Sequence, residues 1–143
     1  MESVNRILDQ YVDEYLAETK TPLTKEELYD FVQHLLPIYF DERIVGILGV
    51  DIFQSQYLNE NVPVLKLLYI TPIERKVGSM KGVVKQVMTE LKGQGFKRVE
   101  IQMNQKLNNW FKREMHSKPY QYAHLQPIDF FLNQLGDTVT EET

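Results

Sequence analysis

The sequence contains no cysteine among its 143 residues. Disulfide bonds, thiolate catalysis and cysteine-ligated zinc are therefore excluded. The longest apolar run, around Ile44 to Phe53, includes Asp51 and two glycines and is too short to span a bilayer. The charged start of the chain is not the pattern of a signal peptide. We expect a cytoplasmic protein with no membrane partner.

Positive charge is also in short supply, because 16 Lys and Arg against 20 Asp and Glu give a formal net charge of −4. This balance does not favour chain-wide affinity for nucleic acid, although it leaves room for a local basic patch. What is present is ordinary globular composition, with 43% hydrophobic and 25% charged residues. No repeat or linker divides the chain. We predict a single domain over 1–143, with two N-terminal helices at 1–36, a sheet and crossover core at 37–135 and an acidic tail at 136–143.

The N-terminal part of the chain follows helical spacing. Apolar residues recur at i, i+3 and i+4, which predicts an amphipathic helix over about residues 3–19. A second helix is predicted from Thr24 to Leu36. Thr24 and Glu27 have the spacing of a capping box, and Pro37 would end the helix.

The pattern then changes to strands. Segments 38–40 and 44–53 flank the polar turn at 41–43 and predict a β-hairpin. Segment 62–70 is apolar almost throughout, which is typical of a central strand buried on both faces.

The second half of the chain alternates between the two patterns. We predict a helix over 80–91, a strand over 99–103, a short helix over 107–115 and one or two further strands within 120–132. This order predicts an α/β (α+β) fold whose mixed sheet contains a central strand–helix–strand crossover.

The segment between the central strand and the next helix carries the chemistry. Backbone N–H groups at a helix N-terminus are unpaired and carry partial positive charge, so they attract anions. Two features strengthen this prediction. Formal positive charge at the same end comes from Arg75, Lys76, Lys81 and Lys85. Gly78 has no side chain, so the backbone can approach a phosphate. The alternatives are that the basic residues form only a solvated turn and that Gly78 and Gly82 serve only helix packing.

The same segment resembles the acyl-CoA signature of the GNAT superfamily of N-acetyltransferases. That signature is Arg/Gln-x-x-Gly-x-Gly/Ala after a strand ending in apolar-x-apolar-x-Pro. Here the strand end is Leu68-Tyr69-Ile70-Thr71-Pro72 and the loop is Arg75-Lys76-Val77-Gly78-Ser79-Met80. Gly93-Gln94-Gly95-Phe96 and the segment 104–111 follow in the family's order. The resemblance covers about residues 38–115 and implies a mostly antiparallel sheet flanked by helices.

In that family the loop amides bind the pyrophosphate of CoA, and a splay between the central strand and the next strand admits the pantetheine. The resemblance therefore implies acetyl-CoA as the cofactor and direct attack of a substrate amine on the thioester. The cofactor-binding residues that it implies are Ile70, Arg75, Lys76, Val77, Gly78, Ser79, Met80, Lys81 and Asn104.

The signature is degenerate at three places. Met80 stands where the loop has its second small residue, so its side chain could obstruct the pyrophosphate. Phe111 stands where the family usually has a tyrosine acid, and Met115-His116 replace a Gly-Phe pair. The chain also begins with a helix, where the family has a strand.

No residue is identified as the catalytic base. The candidates for acid–base chemistry are Tyr69, beside the cofactor strand, and the acidic residues Asp51 and Glu100 on sheet elements. The structural alternatives are a core position for Tyr69 and solvent-facing strand positions for the two acids. No metal site is predicted, because His116 and His124 have no cluster of carboxylates around them.

Two functions remain open. The first is an acyl-CoA-dependent N-acetyltransferase with an amine substrate. The second is a catalytically inactive GNAT-fold binding or assembly protein with a protein partner. Compact chains with eroded GNAT motifs resemble proteins of tailed phages, including virion components, which would place this chain in a host cytoplasm or a virion. An oligomer is compatible with either function.

Overall fold

The computed structural model describes residues 2–103, 105–117 and 124–136. Its elements are α1 (Glu2–Thr19), α2 (Lys25–Phe31), β1 (His34–Phe40), β2 (Arg43–Ser55), β3 (Glu60–Ile70), α3 (Pro72–Lys76), α4 (Met80–Gly93), β4 (Arg98–Ile101), α5 (Gln105–Glu114), β5 (His124–Pro127) and α6 (Ile128–Gln134). Within these residues, no helix is long and apolar enough to cross a membrane.

The five strands form one sheet in the order β1-β2-β3-β4-β5. All neighbouring pairs are antiparallel except β3 and β4, which are parallel and are joined through α3 and α4. Parallel neighbours need such a crossover, whereas antiparallel neighbours can be joined by a short turn. The predicted mixed, mostly antiparallel sheet with a central crossover is confirmed.

Strand β3 lies at the centre of two apolar clusters. Leu65, Leu68 and Ile70 belong to the larger cluster, which α4, α5 and α6 complete. Leu67 and Tyr69 belong to a smaller cluster with residues of α1 and α2. The strand is therefore buried on both faces, as its nearly continuous apolar sequence predicts.

The predicted hairpin is formed by β1 and β2. Its two-residue turn consists of Asp41 and Glu42, whose φ angles are 51° and 65°. Positive φ at both central residues is the geometry that matches the right-handed twist of the flanking strands. Asp is among the residues that tolerate this conformation best.

The prediction that the second helix continues to Leu36 is wrong. Helix α2 ends at Phe31, and β1 begins at His34, so the boundary between helices and sheet lies before residue 36. Pro37 lies inside β1 and does not end a helix. This strand is at the edge of the sheet, where a residue without an N–H group is tolerated. Pairing with β2 thus overrides the helical spacing of residues 28–36. The capping box at Thr24 is confirmed.

Two further segments differ from the predictions. Pro72–Lys76 form the short helix α3, where a loop was expected, since proline suits the first turn of a helix. Ile128–Gln134 form α6, where the sequence was interpreted as a strand. Ile128, Phe131 and Leu132 have helical spacing and are buried against the larger cluster. Of the segment 120–132 that was predicted to form one or two strands, residues 120–123 lie outside the described residues, and so does the tail at 137–143.

Gly46 allows β2 to lie against β3. A Cβ atom at this position would lie 1.8 Å from the backbone oxygen of Tyr69. No side-chain movement relieves that overlap, because the atom that would be struck belongs to the backbone.

We predict that Gly46→Ala lowers the free energy of unfolding by about 1–3 kcal/mol or more, because the two central strands must move apart. Denaturant unfolding followed by circular dichroism measures this change. Gly93→Ala is the control, because a Cβ there would have nothing within 4 Å. Equal stability of the Gly46→Ala protein and the control would contradict this description of the sheet.

Candidate functional site

The end of β3 and the end of β4 part from each other. The two strands pair only at Val64–Leu65, opposite Glu100 and Ile101, and the Gln102 N–H donates to the Leu65 oxygen at 2.9 Å. Strand β3 then continues to Ile70, paired with β2 alone among the described strands. The edge of residues 66–70 that faces away from β2 therefore borders a gap.

This gap is a cleft of about 400 Å³. Its walls come from the end of β3, the first residue of α4, the start of α5 and the last turns of α1. The lining residues are Tyr15, Glu18, Thr19, Leu68, Tyr69, Ile70, Arg75, Met80, Lys106 and Leu107. Of the predicted cofactor-binding residues, Ile70, Arg75 and Met80 thus meet in one cleft.

The loop between α3 and α4 is held by its own backbone. The N–H groups of Val77, Gly78 and Ser79 donate to the carbonyls of Ile73, Arg75 and Glu74, at 3.1–3.2 Å. Gly78 has a φ of +78°, which a residue with a side chain adopts only with strain. The first N–H groups of an α-helix have no acceptor within it, so in α4 those of Met80, Lys81 and Gly82 are available for an anion.

The buried side chain of Glu74 stabilises this loop. Its side chain is 9% exposed and forms an ion pair with Arg43 of β2. Its second oxygen accepts a 2.9 Å hydrogen bond from the Ser79 hydroxyl. The Arg43 guanidinium, and next the Ser79 hydroxyl, hold the pKa of Glu74 below its usual range. Buried Ser79 is thus a structural residue of the loop.

Arg75 reaches across the cleft and not toward the start of α4. Its guanidinium forms an ion pair with Glu18 in the last turns of α1 and lies 5.8 Å from the centre of the Tyr69 ring. Its Nε atom is buried and has no hydrogen-bond partner among the described residues.

The other predicted basic residues are Lys76, Lys81 and Lys85, of which Lys85 is exposed in the second turn of α4. Lys76 is exposed at the end of α3, and Lys81 is exposed in the first turn of α4. The Lys81 ammonium lies 3.6 Å from a carboxylate oxygen of Glu114 on α5. Lys81 therefore adds positive charge to the first turn of α4, the part of the helix that an anion would approach.

The two candidate glycines have different roles. Gly82 packs closely, because a Cβ there would lie 2.9 Å from the Phe40 ring, whereas Gly78 has open space around it. Helix packing is therefore the role of Gly82, and the turn before α4 is the role of Gly78.

Met80 is half-buried and packs against the larger apolar cluster while lining the cleft. Its side chain therefore lies in the cleft between β3 and α5. The sequence predicted that Met80 would obstruct a pyrophosphate, but at this position it would obstruct the narrow part of a ligand that enters the cleft.

Tyr69 is both a core residue and a wall of the cleft. Its residue surface is 5% exposed, and its hydroxyl donates to Glu14 of α1 at 3.3 Å. Burial, followed by the charges of Glu14 and Glu18, raises the pKa of Tyr69 to about 12. A general acid is most effective when its pKa is near the working pH, so this phenol is a poor proton donor at neutral pH.

Asp51 and Glu100 lie apart from the cleft, on either side of Val64 in the sheet. Val64 precedes Leu68 of the cleft by about 13 Å along the strand. Asp51 accepts hydrogen bonds from the Gln33 N–H at 2.6 Å and pairs with Lys66 at 2.7 Å. Burial raises the pKa of Asp51, but these two contacts outweigh it and leave the pKa lowered. Glu100 accepts a hydrogen bond from Gln102. The structure therefore does not bring the three acid–base candidates together.

The position of the family's tyrosine acid is in the core. Phe111 is 0% exposed and its ring contacts Trp110 and Phe131 edge to face. Phe111 is therefore a core residue, and a phenylalanine side chain has no proton to donate. Asn104 lies outside the described residues. Within the described part of the chain, no group of three or more His, Asp or Glu residues could hold a metal ion.

Sequence reasoning missed the contribution of α1. Tyr15 and Glu18 line the cleft, and Glu14 bonds the Tyr69 hydroxyl. The amphipathic pattern of α1 predicts that it packs on the sheet, but it does not show which end of β3 the helix covers. These residues become part of the site only through tertiary packing.

A solved structure has a similar fold. A crystal structure of a presumed acetyltransferase from Staphylococcus aureus Mu50 matches with a TM-score of 0.58 and 18% identity, over 90% of this chain and 94% of that one. At this identity the similarity establishes the fold alone, and the fold of this chain is GNAT-like. Protein-family models and curated proteins give no match to the chain.

We predict that Glu74→Gln lowers stability at pH 7, because Arg43 loses the closer of its two described charged partners and keeps only Asp41, at 3.9 Å. The contribution of a carboxylate with a lowered pKa is present above the unfolded value of about 4.3 and is lost as pH falls through the folded pKa. The stability difference between the variant and the unsubstituted protein should therefore shrink below about pH 4.

Denaturant midpoints measured from pH 7 down to pH 3 test this prediction. Glu90→Gln on α4 is the control, because its exposed side chain has no described ion-pair partner. A stability difference for Glu74→Gln that stays constant over the whole range would show that the carboxylate charge does not hold the loop.

Proposed function

We propose that the protein is an acyl-CoA-dependent N-acyltransferase that acts on an amine. The observation that carries this proposal is the parting of β3 from β4 directly beside the N-terminus of α4. A narrow cleft and an anion-binding helix end are then adjacent, which suits a long molecule with phosphates at one end and a reactive thioester at the other.

The residues at the start of α4 fit the phosphate end. The available N–H groups of the first turn combine with the positive end of the helix dipole, and Lys76 and Lys81 add formal charge. Because the amides of Val77, Gly78 and Ser79 already have carbonyl partners, the first turn and not the preceding loop would hold the anion.

The cleft fits the pantetheine arm. Residues 66–70 of β3 present a strand edge that has no described strand beside it. Backbone N–H and C=O groups on such an edge can pair with the amides of an extended ligand as a further strand would. Leu68, Ile70 and Leu107 supply apolar walls.

Acetyl-CoA would supply an acetyl group as a thioester, whose carbonyl carbon is attacked by the neutral substrate amine while the carbon–sulfur bond breaks. Tyr69 keeps its proton at neutral pH, since its pKa is about 12. The thiolate would be a good leaving group, since a thiol ionises with a pKa of about 8.5. The proton lost by the nitrogen as the amide forms would pass to water, and the thiolate would take its proton from water. The described residues therefore contribute mainly binding and orientation.

A second candidate is a GNAT-fold binding or assembly protein without catalytic activity, such as a component of a tailed-phage virion. The buried Phe111 and the half-buried Met80 in the cleft favour it, because they remove a proton donor and narrow the ligand route. Failure of acetyl-CoA to bind would select this candidate.

We predict that acetyl-CoA raises the unfolding free energy of the protein by about 2.7 kcal/mol at a hundredfold excess over its Kd. Thermal shift or calorimetry measures the binding. Lys81→Glu should weaken it because it places a negative charge beside the phosphates, whereas Lys97→Glu, before β4, is the charge-matched control. The absence of any shift at millimolar acetyl-CoA, or an equal loss in both variants, would contradict the proposed site.

We also predict that Met80→Ala strengthens acetyl-CoA binding, because it shortens the side chain that lines the cleft. Alanine is a good helix former, so α4 should still begin at this residue. Calorimetric Kd values for the two proteins decide the matter. Weaker binding to the variant would show that Met80 is a contact for the ligand and not an obstruction.

A further inference from the structure

The ion pair between Arg75 and Glu18 joins two separate elements across the cleft. Arg75 comes from α3, immediately before the loop that leads into α4, and Glu18 comes from the last turn of α1. Their side chains are 32% and 41% exposed, so the pair is accessible from solvent and can be exchanged for other ions. The two partners would attract different ligands. An anion that binds at α4 would attract Arg75, and a cation would be attracted to the Glu18 carboxylate.

The surroundings of Glu18 favour a cation. The Arg75 guanidinium lies over the Tyr69 ring at 5.8 Å, and the Tyr15 ring meets that ring edge to face at 6.2 Å. A carboxylate next to the face of an aromatic ring is an arrangement that binds ammonium and guanidinium groups. Glu14 lies one turn away on α1 and bonds the Tyr69 hydroxyl, so a second carboxylate adds to the negative potential. Arg75 is therefore a cation of this chain that already occupies the site.

The opposite side of the cleft favours an anion. Lys106 of α5 lines it, and the first turn of α4 follows closely after Arg75. An anionic ligand at α4 would compete with Glu18 for the Arg75 guanidinium. If Arg75 turned to that ligand, Glu18 and the Tyr69 ring would lose their internal cation.

We propose that the space left by Arg75 binds a positively charged group of the amine substrate. This inference rests on the proposed N-acyltransferase function. The nitrogen that is acylated must be neutral when it attacks, so the charge held by Glu18 belongs to a second group. The structure thus points to acceptors with two cationic groups, such as diamines, in preference to monoamines. Acyl-CoA would take Arg75 as its partner, and the cationic substrate would take Glu18. Each of these two ligands should therefore raise the affinity of the protein for the other by the same factor.

The test uses Arg75→Ala, in which Glu18 has no internal partner even without acetyl-CoA. Calorimetric titration with 1,4-diaminobutane should give binding at least about fivefold tighter than to the unsubstituted protein, a change at the lower end of typical coupling between sites. n-Butylamine, which has the same chain but one ammonium group, measures binding by a single charge. The Arg75→Ala/Glu18→Gln double variant should lose the gain, and Arg75→Ala/Glu26→Gln, with its second change on exposed α2, should keep it.

A second titration measures the coupling in the unsubstituted protein. Saturating CoA should tighten the binding of 1,4-diaminobutane, and Glu18→Gln should remove this effect while CoA itself still binds. Circular dichroism shows whether each variant is folded.

The outcomes separate the two proposals. If CoA binds but Arg75→Ala gains no affinity for the diamine, or keeps the gain after Glu18→Gln, the cation site is wrong and the acyl-CoA site stands. If CoA fails to bind while Arg75→Ala gains diamine affinity through Glu18, the cation site stands and the acyl-CoA site is wrong.

Discussion

Strand β3 is paired along its length with β2 but over only two residues with β4. The rest of the site follows from this asymmetry. Because β2 approaches so closely that Gly46 has no room for a Cβ, the end of β3 is held in place even where its other edge has no described partner. A strand edge without a neighbour is normally a liability. Here it faces a cleft that is closed by the ends of α1, α4 and α5.

Charge is divided across that cleft. Carboxylates of α1 lie on one side, and the positive end of α4 and Lys106 of α5 lie on the other. Arg75 links the two sides through Glu18. Glu74, one residue earlier, holds the loop before α4 through Arg43 and Ser79. Glu74 and Arg75 therefore have separate roles: Glu74 holds the loop, and Arg75 lies at the surface of the cleft.

Much of the framework can be predicted from the sequence because it depends on local patterns. The capping box at Thr24, the apolar run of β3 and the spacing of α4 each identify their element. Residues 34–36, which begin β1, were misassigned because a short apolar run fits both a helix and a strand, and pairing with β2 decides between them. Residues 128–132 were misassigned as a strand because Pro127 was interpreted as an interruption between strands and not as the residue that precedes a helix.

The candidate site could be predicted only in part. The sequence signature identifies Ile70, Arg75 and Met80, which the structure brings to one cleft. It does not show that Arg75 pairs with Glu18, because these residues are far apart in the sequence and meet only after α1 has packed. Nor does it show that Tyr69 has a raised pKa, since burial and the carboxylates of α1 together produce that shift.

The most direct test of the cleft as an acyl-CoA site is amide hydrogen exchange with and without acetyl-CoA. The account predicts slower exchange in residues 66–70 of β3 and in the first turn of α4, with little change in the hairpin of β1 and β2. Unchanged exchange in both segments at saturating acetyl-CoA, or protection confined to another surface, would contradict it.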